Sequence, residues 1–168
     1  KDGEQSFDFW HLYGYRNLVL KIKEVIRTTR KTLVMSLWKR EVNLLEKELK
    51  KAEKRGVDVT LFSFTKFDFK IGKQISYNLN EDRLRKIWTP NIILVSDQLS
   101  TIMGSSKKES NSQSIFTKNE AIIEIAINHI VLDITLAGQR LNFDSNPIVK
   151  KIMKNADLQL NKLLQNKK

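Results

Sequence analysis

The chain contains no cysteine, and only two histidines, two prolines and six glycines in 168 residues. Without thiols it can form no disulfide, no thiolate zinc site and no cysteine nucleophile. His11 and His129 are too far apart in sequence to make a convincing metal site by themselves, so neither a metal nor a cofactor is expected. The opening residues, Lys1-Asp2-Gly3-Glu4, lack the apolar segment of a signal peptide. No uninterrupted apolar run approaches the roughly 20 residues that cross a bilayer. These absences lead to the expectation of a cytoplasmic protein with no membrane partner.

Acidic residues are also scarce, 19 against 30 lysines and arginines, for a net charge of +11. Such an excess suits a polyanionic partner, but its placement argues otherwise. Residues 59–146 carry 10 basic and 9 acidic side chains, so the surplus lies toward the two ends. Within the first end, Glu46, Glu48 and Glu53 alternate with Lys47, Lys50, Lys51, Lys54 and Arg55, the pattern of a solvated helix face. The aromatic-studded strands or glycine-rich basic loop of a nucleic-acid patch are missing.

A hydrophobic content of 40% in one chain of this length can fill a single core. Apolar positions from Leu18 to Ile26 recur at helical spacing after Asn17, a plausible cap. Lys31 to Trp38 reads as a buried strand, and Glu41 to Arg55 as a helix closed by Gly56. Val57 to Phe64 is the next strand, which completes a right-handed βαβ unit. Gln74 to Leu79 is a short edge strand in a stretch, Phe67 to Arg85, that mixes aromatics and charge. Asn91 to Ser96 and Leu99 to Gly104 form a hairpin about Asp97-Gln98, and Ser114 to Thr117 pairs back after a polar, mobile loop. A long helix over Asn119 to Gln139 is apolar over so wide a face that it is expected to be largely buried. Pro147 opens a last, amphipathic helix that runs to Leu164 with Ile148, Ile152, Leu160, Leu163 and Leu164 on one side.

The segment Asp97 to Ser105 carries an Asp, six residues and Gly-Ser, the second half of the phospholipase-D signature HxKxxxxDxxxxxxGS. Its first half is absent: Pro90 stands at the position of the nucleophilic His and Ile92 at that of the phosphate-binding Lys. The order of elements, together with this frame, resembles the phospholipase-D-like fold. The segments Tyr13-Gly14-Tyr15-Arg16-Asn17-Leu18, Ser36-Leu37-Trp38, Arg55-Gly56-Val57, Leu94-Val95-Ser96-Asp97 and Phe116-Thr117-Lys118-Asn119 resemble, in that order, the C-terminal effector domain of TrmB-type transcriptional regulators. The resemblance covers about residues 10 to 140. It implies an α/β fold with a mixed sheet flanked by helices, a small-molecule effector (a sugar in the best-known members), a homodimer, and, ahead of Lys1, a dimerisation helix and the winged-helix domain through which alone DNA is contacted. The first residue, Lys rather than Met, fits that expectation. Residues 1–9 are then a linker remnant and residues 10–168 one effector-binding domain.

No catalytic residue is assigned. The candidate ligand-binding residues are Ser36, Trp38, Ser63, Asp97, Ser105 and Thr117, strand-end hydroxyls with one aromatic plate and one carboxylate. Each has a plainer reading. Asp97 is a natural turn residue, Trp38 an ordinary packing residue, Ser105 the start of a loop, and the remaining hydroxyls satisfy backbone locally. His129 reads as a hydrogen-bonded core histidine, while Trp10, His11 and Tyr13 cover a groove or a dimer seam. Two rival functions remain: an active phosphodiesterase or nuclease, which the missing HxK disfavours, and an interaction or nucleic-acid-binding module using the basic ends.

Overall fold

Strands that are apolar at nearly every position need cover on both faces, and three of them occupy the middle of one seven-stranded sheet. The structure is a computed structural model that describes residues 9–109, 111–153 and 162–165. In chain order its elements are β1 (Phe9–Tyr13), α1 (Tyr15–Thr28), β2 (Thr32–Ser36), α2 (Lys39–Lys54), β3 (Asp58–Thr65), β4 (Lys73–Leu79), α3 (Glu81–Arg85), β5 (Asn91–Ser96), β6 (Ser100–Ser105), β7 (Gln113–Thr117), α4 (Glu120–Leu141) and α5 (Asn146–Met153). The strand order is β1-β7-β6-β5-β2-β3-β4. β2, β3 and β4 run parallel, β5 joins β2 antiparallel, and β6, β7 and β1 continue antiparallel. The βαβ unit, the hairpin and the edge position expected near Gln74 are all present.

The period-two alternation of strand side chains divides the core into two layers. Leu33, Met35, Val59, Leu61, Ile92, Leu94 and Ile102 point to α1 and α2, where Leu18, Ile22, Leu45 and Leu49 meet them. Val34, Phe62 and Ile75 point the other way, to Ile130, Ile134 and Ala137 of α4 and to Val149 and Ile152 of α5. Val95 meets Ile123 and Ala126 further along α4. Each fully buried Ile or Leu contributes roughly 1.5–3 kcal/mol, so β5, which feeds both layers, is central to the stability of the sheet.

Several expectations change. Trp10, His11 and Tyr13 line grooves beside α1, as expected, but they do so from β1, an edge strand paired with β7, so Phe9 starts a strand rather than ending a linker. Asn17 does not cap α1. The cap is Gly14, with φ +80, and Asn17 donates its side-chain amide to the Tyr13 carbonyl. Trp38 lies beyond β2, as the residue that caps α2. The polar loop is held at both ends: Ser106 and Ser112 are buried, the Ser106 N–H donates to the Pro90 carbonyl, and the Gly14 N–H donates to the Ser112 carbonyl. Of the last helix, α5 accounts for Asn146 to Met153, Leu160 lies outside the described residues, and Leu163 and Leu164 are exposed.

The long helix departs most from expectation. Its seven buried residues form one face only, and Ile125, Leu132 and Leu136 stand on the surface. Glu120–Leu141 is also long and apolar enough, with a window of mean hydropathy 1.6, to cross a membrane by length and composition, although no unbroken apolar run betrays it. In this fold it lies along the sheet with 44% of that window buried.

Gly104 sets the closeness of β6 and β7. Its φ is +150, and a Cβ there would fall 2.5 Å from Ser114 Cα and 2.7 Å from the Gln113 carbonyl oxygen. Backbone cannot yield as a side chain can. Gly104→Ala is expected to lower stability by about 1–3 kcal/mol, read from the urea unfolding midpoint. Gly56→Ala, at φ +86 but facing open space, costs less.

Candidate functional site

The end of the sheet where β2 and β3 finish is also where β5 begins, because β5 runs against β2. Chain ends of this kind leave backbone and side chains free to face a ligand. On the α4 side they enclose a cavity of about 230 Å³, lined by Ser36, Trp38, Phe64, Trp88, Thr89, Asn91, Ile93, His129 and Asp133. That volume is below the roughly 300–1,000 Å³ of drug-sized sites, which limits an occupant to a small molecule. Trp38, only 4% exposed, forms a fixed wall, while Trp88, 54% exposed, stands at the mouth with its ring 4.8 Å from that of Phe64.

The polar groups come from two different elements. Asn91 opens β5, and α4 presents His129 and Asp133 one turn apart, with Nε2 and Oδ2 separated by 3.4 Å. Burial pushes the Asp133 carboxyl above its ordinary range, against the pull of His129. His129 is thus no core histidine: its side chain is 60% exposed and sits on the cavity rim. A larger groove of about 690 Å³ lies along the β4 edge and the α4–α5 junction, lined by Lys66, Lys70 and Lys73 among others. It contains none of the six candidate residues; Phe67, Phe69 and Phe143 line it, but its Asp68 carboxyl is already held below its ordinary range by Asn43 and Lys39, whereas burial pushes Asp133 of the smaller site up.

Of the six residues, Ser36 and Trp38 line the cavity. Ser105 pairs with Asn91, so it stands on the same face one strand away. Ser63 faces the α1 and α2 layer, and its hydroxyl is taken up by Thr65, 2.9 Å from Oγ1 and 3.0 Å from N–H. Asp97 and Thr117 lie at the opposite end of the sheet, since Thr117 pairs with Thr101, which pairs with Val95. Thr117 accepts the Asn119 N–H at the start of α4. Asp97 accepts three backbone N–H bonds, from Arg30 at 3.0 Å, Lys31 at 2.7 Å and Thr32 at 2.9 Å. Partial burial alone would raise its pKa, but the three donors outweigh it and hold the carboxyl below the usual range. Sequence reasoning did not find Phe64, Trp88, Thr89, Asn91 or Asp133. Only the His129/Asp133 pair, four apart on one helix, left a signal that could have been used.

The motif frame explains its own geometry. Pro90 and Ile92 lie beside Ser106 and Gly104, so the positions that would hold His and Lys do meet the Gly-Ser end, but on the α1 and α2 side. That side is closed. Arg40 donates through Nη2 to the Ser106 carbonyl and through Nε to Glu41 Oε1 at 2.6 Å, and Tyr15 donates to the same carboxylate oxygen at 3.1 Å. Burial pushes the Glu41 carboxyl up against the pull of Arg40, and burial with the adjoining carboxylate pushes the Tyr15 phenol up as well. The open cavity is therefore on the opposite face of the sheet from the motif positions. Among the described residues, no group of three His, Asp or Glu side chains could hold a metal ion.

A mixed seven-stranded sheet between helical layers, with this hairpin at its centre, is an α/β domain of the phospholipase-D-like fold. NucT from Helicobacter pylori shares the fold, at 12% identity and a TM-score of 0.50 over 72% of this chain and 92% of NucT. Residues 8–130 match the family described as "Transcriptional regulator TrmB, EBD N-terminal subdomain", and the chain belongs to that family as an effector domain of a transcription regulator. TrmBL2, described as an archaeal chromatin protein with a novel mode of DNA binding, is 16% identical with a TM-score of 0.49 over 74% of this chain and 50% of its own. Nuc, a phospholipase D family member from Salmonella typhimurium, is 15% identical with a TM-score of 0.44 over 72% of this chain and 90% of its own. The uncharacterized protein YrhO of Bacillus subtilis (strain 168) is 30% identical over 57 residues, 34% of this chain and 21% of that protein. The chain thus spans half of TrmBL2 and aligns to about a fifth of YrhO.

The clamp at Asp97 has a pH signature. Its folded pKa lies below the unfolded value of about 3.9, so its contribution is complete above that value and fades as pH falls through the folded pKa. Asp97→Ala is expected to cost about 1–3 kcal/mol at pH 7. Urea titrations repeated at pH 3 and below should find the gap to the unaltered chain narrowing.

Proposed function

We propose that this chain is the ligand-sensing, dimerising effector domain of a cytoplasmic TrmB-type regulator, and that it reads a small polar molecule in the Trp38 cavity. The observation that carries this reading is the convergence of Trp38, Trp88, Asn91, His129 and Asp133 on one small cavity. Aromatic plates suit the apolar face of a sugar ring, and the amide, imidazole and carboxyl suit its hydroxyls. The domain is not an enzyme in this reading, because Pro90 and Ile92 can neither attack phosphorus nor neutralise a phosphate.

The cavity is built from the start of α2, the start of β5 and the middle of α4. A molecule that bridges these elements favours the arrangement in which they are close, and a population shift of this kind repositions a winged-helix DNA-binding domain attached elsewhere in the regulator. DNA contact belongs to that attached domain.

Isothermal titration of the purified chain against monosaccharides and small polar metabolites tests the reading. One compound should bind saturably, and Trp88→Ala and Asn91→Ala, both at exposed positions that leave the core intact, should each weaken it tenfold or more, about 1.4 kcal/mol. Affinity unchanged in both variants, no heat from any compound, or turnover of a chromogenic phosphodiester by the chain would sink it.

A further inference from the structure

The outward side of α4 is unusual for a surface helix in a chain of which 29% is charged. Ala121, Ile125, Asn128, Leu132, Leu136 and Gln139 are all exposed, and none is charged. Their spacing of four, three, four, four and three residues places them on one straight stripe, the spacing of a helix-pairing seam. Ile125 is 60% exposed, Leu132 63% and Leu136 42%. The charged residues of the helix, Glu120, Glu124, Asp133 and Arg140, fall to the flanks and back of this stripe.

We infer that the α4 stripe is the surface through which two copies of this chain pair, their α4 helices packed side by side across a two-fold axis. The inference rests on the dimer part of the reading above and names its interface. A seam of this spacing needs a partner helix with a matching seam, and among the described helices α4 itself has one. α1 and α2 expose only the single residues Leu20 and Leu44. Charge points the same way. Two chains of net charge +11 repel, and this face brings no lysine or arginine of one copy onto the other. A bilayer surface is a poorer occupant, because a helix that lies on lipid sets lysines and arginines beside its apolar side. α4 has Arg140 alone, against three acidic residues. Asn128 within the seam gives the pairing a polar position that fixes register.

The seam also adjoins the cavity. His129 follows Asn128 directly and lines the cavity rim, and Asp133 follows Leu132 in the same way. Occupancy of the cavity and the packing of α4 against its partner therefore act on one helix.

Sedimentation velocity of the 168-residue chain over a concentration series tests the inference. A monomer–dimer equilibrium is expected, weakened tenfold or more by Ile125→Lys and by Leu132→Lys with circular dichroism unchanged, and unaffected by Leu20→Lys and Leu44→Lys. A wild-type chain that is monomeric throughout overturns both the dimer reading and this interface. A dimer that survives both α4 substitutions overturns the interface alone. Flotation of the wild-type chain with phosphatidylserine vesicles, lost in Leu132→Lys, overturns it in favour of a membrane face.

Discussion

The sheet depends on how a parallel pair and an antiparallel pair share β2, and the Asp97 carboxylate holds that junction. Asp97 and Gln98 both have left-handed backbone, φ +53 and +57, which turns β5 back into β6. The same turn is tied to the start of β2: the Asp97 N–H donates to the Thr32 carbonyl while its carboxylate collects the N–H groups of Arg30, Lys31 and Thr32. A shift of β5 by one residue would exchange Ile92 and Leu94 for Ile93 and Val95 and put both layers out of place. The carboxylate of the motif frame therefore acts as a register clamp, about a strand length from the cavity. Gln98 extends the clamp by donating to the Ile152 carbonyl of α5.

Because the register is fixed, the two sides of β5 can diverge in role at its other end. Ile92 on one side is core, next to Tyr15, Arg40 and Glu41, which fill the space beside the motif positions. Glu41 Oε2 and Ser106 Oγ are buried there without a hydrogen-bond partner among the described residues, a cost of about 1–3 kcal/mol each in a dry interior. Asn91 and Ile93 on the other side border the open cavity. One strand thus separates a closed polar cluster, attached to the first residue of α1, from a cavity attached to α4.

How far the sequence showed this follows from what each element buries. β2, β3 and β5 are apolar because both of their faces are covered, and α1 and α2 keep a helical stripe, so all five are visible as patterns. β1 is not, because Phe9, Trp10 and Tyr13 are exposed on a sheet edge and no alternation separates a buried face from a wet one. The Asp97 turn is legible as a turn, yet its distance from Ser36 and Trp38 depends on β5 running against β2, which spacing along the chain does not disclose. Trp88 and Thr89 follow a five-residue helix with no strong pattern, and only the folded β3–α3 connection brings them to Phe64.

α4 differs from what its sequence pattern predicts for a physical reason. A helix that is apolar on most of its circumference reads as buried by its own domain, whereas the sheet covers only one face, and the rest of the apolar surface is left for something outside the described fold. The uncharged stripe and the cavity rim occupy neighbouring sides of this helix, and its buried side rests on β2, β3 and β5 through closely packed side chains. Packed interfaces respond to a shift by changing arrangement as a unit rather than bending by degrees. In the proposed dimer a helix so placed converts contacts at His129 and Asp133 into a change in how the two copies meet, and a coupling of about 1–3 kcal/mol is enough for a 5–150-fold change in affinity between sites.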